Sequence, residues 1–152
     1  AARFTPATEL GGDFYDLLAP DSNTLVIAVA DVSGKGVPAA LYGAYACELV
    51  RSRTFRRRFT SVRSSPAGVL ASMNTILHER RLEEYYCTLC YATIDQKRRV
   101  MTISNAGLPY PVRCDADGCR LFELAGLPLP GPTVAVVSGG NVDDALFAEL
   151  AG

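Results

Sequence analysis

"LGGDFYD", residues Leu10–Asp16, sets two glycines before an acid, then two aromatics, then a second acid. What Asp13 does there depends on where the next aspartate falls. Phe14 to Leu18 reads as a short strand, and "APDSN", Ala19 to Asn23, is turn chemistry. "TLVIAVA", Thr24 to Ala30, is a continuous apolar run rich in β-branched residues, as in a strand buried on both faces, and Asp31 ends it. If the two strands form a hairpin, Asp13 and Asp31 are equidistant from residue 22 and face each other at its open end. Like charges across a ladder repel. A divalent cation reverses that sign, and oxygen donors with no His or Cys nearby suit Mg²⁺ or Mn²⁺ rather than Zn²⁺. Gly11 and Gly12 let the backbone turn close beside an ion. On spacing alone, two strand-end caps facing water remain the more economical account of the pair.

After Asp31, "VSGKGV" is a glycine-rich loop, and Pro38 stands where the first residue of a helix falls. A buried strand, a glycine loop and a helix N-terminus direct unpaired N–H groups and the positive end of a helix dipole at one place. That suits phosphate beside a metal, with Ser33, Gly34, Lys35 and Gly36 as the candidate cradle. Lys35 is one of only two lysines in the chain. The loop is not a P-loop, because "GxxxxGK[ST]" is absent, and most glycine-rich loops are only turns.

The remainder reads as a helix from about Pro38 to Arg53, then an arginine-rich loop. Ser65 caps a second helix whose apolar face is Val69, Leu70, Met73, Ile76 and Leu77. Strands follow at about Tyr85–Ile94 and Arg99–Ser104 around "DQKR", and a hairpin around "DADG". Strands, then helices, then a meander imply an α+β fold with helices packed on antiparallel sheet. The 152 residues suffice for one core, and 49% are hydrophobic. A formal net charge of −1 points to neither nucleic acid nor membrane as a partner, and no apolar stretch is long enough to span a bilayer. Five cysteines without framework spacing favour a reducing, cytoplasmic compartment.

"TPATELGGDFYD", "VADVSGKGVPAAL", "YYCTLCYATID" and "ISNAG" resemble, in order and spacing, the SpoIIE/RsbU group of PPM-type serine/threonine protein phosphatases. The resemblance covers about Phe4 to Leu129. It implies an α-β-β-α sandwich of antiparallel sheets with two metal ions, Mn²⁺ or Mg²⁺, at one edge. It further implies dephosphorylation of phosphoserine or phosphothreonine on a regulatory protein of the anti-sigma-factor antagonist type, and an upstream sensor domain in the parent chain. Residue by residue, Asp13 and Asp31 match the first two metal aspartates, the Val32 carbonyl matches a carbonyl ligand, and Asp16 matches a recurrent acid. Hydrolysis would proceed without a covalent intermediate, on a metal-activated water.

The chain departs from that pattern in three places. Leu108 stands where a histidine usually follows "NAG". The later "TDG" and "DD-x-T" carboxylates are missing, so the sandwich reads as C-terminally incomplete. Asp143 and Asp144 are adjacent acids without the threonine, at a helix start where acids more often meet the dipole. Two carboxylates hold one ion but not two in register, so weak turnover is expected unless other acids join. Finally, "VAVVSGGNVD" resembles the end of threonine-dehydratase-type enzymes, whose serine at the place of Ser138 meets pyridoxal phosphate. No upstream segment supports that cofactor. The domain reading is therefore a partial phosphatase domain over 1–130 and a strand–turn–helix tail over 131–152.

Other residues have simpler accounts. Cys87 and Cys90, at i and i+3 on a strand, point to opposite faces and do not make a zinc site. Cys114 and Cys119 flank a turn and are expected to be reduced cross-strand neighbours. His78 is expected to be solvated. The cluster Arg51, Arg53, Arg56, Arg57, Arg58 and Arg63 is a solvated loop or a dock for an acidic phosphoprotein. The competing function is a catalytically inactive phosphatase-like module that binds a regulatory partner.

Overall fold

The computed structural model describes residues 4, 10–55, 65–80, 85–115 and 118–121. Along the chain run β1 (Phe14–Asp21), β2 (Thr24–Val32), α1 (Gly36–Phe55), α2 (Pro66–Glu79), β3 (Cys87–Asp95), β4 (Val100–Ala106), β5 (Val112–Asp115) and β6 (Gly118–Leu121). The first four strands form one antiparallel sheet in the order β1-β2-β3-β4, and β5 and β6 pair separately. Strands, helices and meander thus follow the expected order. The tail from 131 to 152, with Ser138, Asp143 and Asp144, lies outside the described residues, as do Arg56, Arg57, Arg58 and Arg63.

β1 is longer than expected. It continues through Ala19 and Pro20 to Asp21, so only Ser22 and Asn23 make the turn, and the register slips between Leu18 and Asp21. Pro20 is tolerated because β1 is an edge strand and the slip removes the ladder bond its missing N–H would have made. Asn23 then ties this turn to the next hairpin. Its Nδ2 donates to Asp95 at 3.0 Å, and its backbone carbonyl accepts from Gln96 at 2.9 Å.

Alternation along β2 sends Val26, Ala28, Ala30 and Val32 to one face, where all four are buried. Leu18 of β1 and Leu89 and Tyr91 of β3 share that face, and Val50 of α1 with Val69, Leu70 and Met73 of α2 close over it. Both helices therefore lie on the same side of the sheet. α1 turns Ala39, Tyr42, Gly43, Ala46 and Val50 inward, a helical repeat of small residues around one tyrosine that seats the helix close to the sheet. α2 starts as its sequence implies: Ser65 caps it, with Oγ accepting from the Gly68 N–H at 3.1 Å. His78 is exposed, as expected.

Burial of β2 on both faces is met on one only. On the other, Val29 is 44% exposed, and Tyr15 and Leu17 beside it are exposed too, because no described element packs there. Cys87 and Cys90 alternate between the two faces and are free thiols. The cysteines of the last hairpin correct an expectation. Cys114 and Cys119 are opposite one another in the ladder, and Cys119 is disulfide-bonded rather than reduced. Direct cross-strand opposition, a feature of register that the cysteine count does not carry, is the physical reason.

Candidate metal centre

The register Phe14↔Ala30 brings Asp13 opposite Asp31 one step further along. Asp31 alternates with buried Ala30 and Val32, so its side chain leaves on the face away from the helices, and Asp13 shares that face. The two carboxyl groups hydrogen-bond to each other. Asp13 keeps exposed surface, yet its carboxyl titrates above the usual aspartate range. Partial burial is the largest cause, followed by the charge of Asp31 and their mutual hydrogen bond; donation from the Val32 N–H works the other way. A carboxyl group whose ionisation is disfavoured beside a second carboxyl group marks a site with a deficit of positive charge. In an extended strand the N–H and C=O of one residue leave on the same side. The Val32 carbonyl therefore points to the side from which its N–H reaches Asp13.

This donor set is hard oxygen throughout, and it fits one Mg²⁺ or Mn²⁺. Among the described residues no group of three or more His, Cys, Asp or Glu side chains converges on a metal position. Cys87, the register partner of Val32, lies near enough for Asp31 and Asp13 to act on it. Burial, first, and those two charges push its thiol up to about 12, so it stays neutral and offers no thiolate.

The glycines before Asp13 serve packing more than curvature. A Cβ on Gly12 would stand 2.7 Å from Val32 Cβ and 3.1 Å from the Ala39 carbonyl oxygen. A Cβ on Gly43 would collide with the Gly12 carbonyl. Helix α1 thus lies directly against the residue preceding Asp13, whereas a Cβ on Gly11 meets nothing within 4 Å.

Asp16 is placed elsewhere. It sits on the helix-facing side of β1, only 9% exposed, and its Oδ2 accepts from Arg51 Nε of α1 at 2.7 Å. Its Oδ1 accepts the Leu17 N–H at 3.0 Å. It joins α1 to the sheet rather than joining the Asp13–Asp31 pair.

The loop after β2 is held by the segment before β3. The Ser33 N–H donates to the Tyr86 carbonyl, and the Tyr86 N–H donates to Ser33 Oγ, both at 2.9 Å. Ser33 is thereby engaged in ending the ladder. Gly34 (φ +93°) and Gly36 (φ +75°) then take the left-handed turn that leads into α1, with Lys35 exposed between them. Beneath this loop Val32, Ala39 and Tyr42 pack with Leu77, Tyr85 and Cys87, and the Tyr42 and Tyr85 rings lie 6.0 Å apart.

The profile of the family described as Stage II sporulation protein E (SpoIIE) matches residues 21–144. The chain belongs to the SpoIIE family. A curated relative, the phosphoserine phosphatase RsbU of Bacillus subtilis (strain 168), is 28% identical over 102 residues, covering 67% of this chain and 28% of that protein. The chain thus spans less than a third of this relative. The solved RsbU and RsbW domains of Rv1364c from Mycobacterium tuberculosis are 26% identical, with TM-score 0.60 over 78% of this chain and 32% of that one. The PP2C phosphatase domain with a regulatory-domain fragment of SpoIIE from Bacillus subtilis has TM-score 0.65 at 20% identity, over 80% of this chain and 34% of that one. The fold is that of the PPM phosphatases, an antiparallel sheet with two helices over one face.

Four contributors escaped sequence reading: Thr88, whose Oγ1 donates to the Asp31 carbonyl at 3.2 Å, and Tyr86, Gly43 and Arg51. Thr88 and Tyr86 follow from the β2–β3 register, a long-range pairing that no local pattern prints. Gly43 carried a signal, a lone glycine inside a helix, which marks a close approach when it is not a C-cap.

Proposed function

We propose that this chain forms part of a Mn²⁺- or Mg²⁺-dependent serine/threonine protein phosphatase. Its substrate would be a phosphorylated regulatory protein of the anti-sigma-factor antagonist type, in the cytoplasm. The observation that carries this reading is the Asp13–Asp31 pair, two carboxyl groups set opposite one another beside a strand-end carbonyl. Family membership and the phosphoserine phosphatase named among its relatives support it.

Asp13, Asp31 and the Val32 carbonyl would hold the ion. When bound there, a divalent cation supplies Lewis acidity that activates water and neutralises phosphoryl charge. The chain's own part is placement. Asp31 and Val32 end β2, where the ladder to β3 continues through Thr88 and Cys87, so their positions are set from that strand. The backbone of Gly34–Gly36 and the α1 N-terminus, with Lys35, offer N–H groups and a cation to the phosphate. No side-chain nucleophile is required of this arrangement.

A second reading, an inactive module that binds a regulatory partner, is favoured by one observation: among the described residues no third carboxylate joins the pair. A Mn²⁺ titration of the full chain with a phosphoserine protein separates the two. The enzyme reading expects phosphate release that depends on Mn²⁺ and disappears in Asp31→Asn. Mn²⁺ uptake without turnover would sink it in favour of the inactive module.

A further inference from the structure

The peptide unit joining Asp31 to Val32 is held at both ends. Its N–H, from Val32, donates to the Asp13 carboxylate. Its carbonyl oxygen, from Asp31, accepts from Thr88 Oγ1 at 3.2 Å. Thr88 is the register partner of Asp31 in β3, so the hydroxyl reaches this carbonyl from the neighbouring strand. The ladder to β3 already restrains this peptide on one side and the Asp13 bond on the other, and the Thr88 hydroxyl adds a further check on its rocking about the Cα–Cα axis. That rocking is the motion that would swing the Asp31 side chain, and the Val32 carbonyl one residue on, relative to Asp13.

Thr88 is in turn pinned from β4. Its methyl faces Gly107: a Cβ there would stand 2.9 Å from Thr88 Cγ2. Gly107 takes φ +89°, and the turn it makes is closed by the buried Asn105 side chain. Asn105 Nδ2 donates to the Leu108 carbonyl at 2.7 Å, and the Leu108 N–H donates back to Asn105 Oδ1 at 3.2 Å. A closed loop at the end of β4 thus backs the Thr88 methyl, and Thr88 backs the Asp31–Val32 peptide.

We propose that Thr88 is a positioning residue: its hydroxyl, set by the Asn105–Leu108 loop through Gly107, fixes the Asp31–Val32 peptide in the orientation that lets Asp13, Asp31 and the Val32 carbonyl meet one divalent ion. The inference rests on the metal reading of the Asp13–Asp31 pair and adds the device that holds it in shape. Outer partners that orient metal ligands are worth roughly ten- to a hundredfold in affinity, and the lower end applies to a bond made to the ligand's backbone.

Mn²⁺ affinity, measured by calorimetry on the full chain with the thermal midpoint recorded for each variant, tests it. Thr88→Val keeps the shape and loses the hydroxyl; it is expected to weaken binding roughly tenfold. Thr88→Ser keeps the hydroxyl and is expected to bind nearly as the unsubstituted chain does. Should Thr88→Val fail to fold, Gly107→Ala gives a second line. Its methyl drives Thr88 off the carbonyl and weakens binding, and adding Thr88→Ser removes the colliding atom and restores much of it. Equal Mn²⁺ affinity in all of these, or equal weakening by Ser and Val, overturns the proposal. No Mn²⁺ uptake by the unsubstituted chain overturns the metal reading beneath it and the proposal together.

Discussion

The Gly12 carbonyl oxygen fills the space that a Cβ on Gly43 would need. Helix α1 therefore touches the backbone one residue before Asp13, and its seat on the sheet and the shape of the carboxylate pair are mechanically linked. Gly43→Ala tests the linkage. In an isolated helix that change stabilises by about 1 kcal/mol. Here it forces α1 away from Gly12, and overpacking of this kind costs about 1–3 kcal/mol. The expected outcome is a lowered thermal midpoint together with weaker Mn²⁺ binding. A raised midpoint would show that α1 has room to settle.

The strained pair predicts a trade between stability and binding. Asp13 titrates above its ordinary value, first through burial and then through Asp31, so its ionised form is disfavoured in the fold. A raised folded value means that the folded chain holds the proton more tightly than the unfolded one. Metal-free stability is therefore expected to fall as pH rises from the ordinary aspartate range through the higher folded value. Asp13→Asn keeps an acceptor for the Val32 N–H and removes the repulsion. Its metal-free midpoint near neutral pH should exceed that of the parent chain, while Mn²⁺ no longer raises it. A lower metal-free midpoint contradicts the electrostatic account.

Asp16 should behave unlike Asp13. Its carboxylate is nearly buried and bonded to Arg51, whose side chain is about half exposed. Arg51→Ala leaves a buried acceptor without its strongest partner, a loss on the order of 1–3 kcal/mol, moderated by water reaching the emptied side. Asp16→Asn should lower the midpoint by less and leave Mn²⁺ affinity unchanged. Calorimetric titration of Asp16→Asn decides whether this acid belongs to the fold or to the ion.

Much of this arrangement was legible in the sequence because it is local. The spacing about residue 22 puts Asp13 opposite Asp31, and the pairing holds although β1 runs three residues further than its apolar pattern suggests, because the register slips between Leu18 and Asp21. Ser65 and Pro66 announce α2 through capping chemistry alone. What stayed hidden depends on contacts between distant segments. Arg51 reads as one more residue of a basic cluster until α1 is laid over β1, and only then does it claim Asp16. Ser33 reads only as a loop residue until the segment before β3 presents the Tyr86 amide to its hydroxyl oxygen. The bonded state of Cys119 was hidden too, because ladder register, not cysteine count, decides which residues stand opposite one another.

The two glycines flanking Lys35 allow the phosphate reading of this loop to be separated from its structural role. Both take positive φ, +93° at Gly34 and +75° at Gly36, so any Cβ costs about 1–2 kcal/mol of backbone strain at either position. Their surroundings differ. At Gly34 a Cβ meets Tyr85 Cε1 at 3.1 Å, so the ring that stacks near Tyr42 must also move. At Gly36 a Cβ meets nothing within 4 Å. Gly34→Ala should therefore lower the thermal midpoint more than Gly36→Ala does. Neither glycine touches the carboxylate pair, and Gly36→Ala should leave Mn²⁺ affinity close to that of the parent. If backbone N–H groups of this loop and of the α1 N-terminus receive phosphate, the methyl at Gly36 stands where that oxyanion must approach. KM for a phosphoserine protein should then rise well beyond what the small stability loss explains, with kcat less affected. An unchanged KM in a folded Gly36→Ala chain would mean that open space beside Gly36 is only the clearance a tight turn requires, and that phosphate is met by the ion alone.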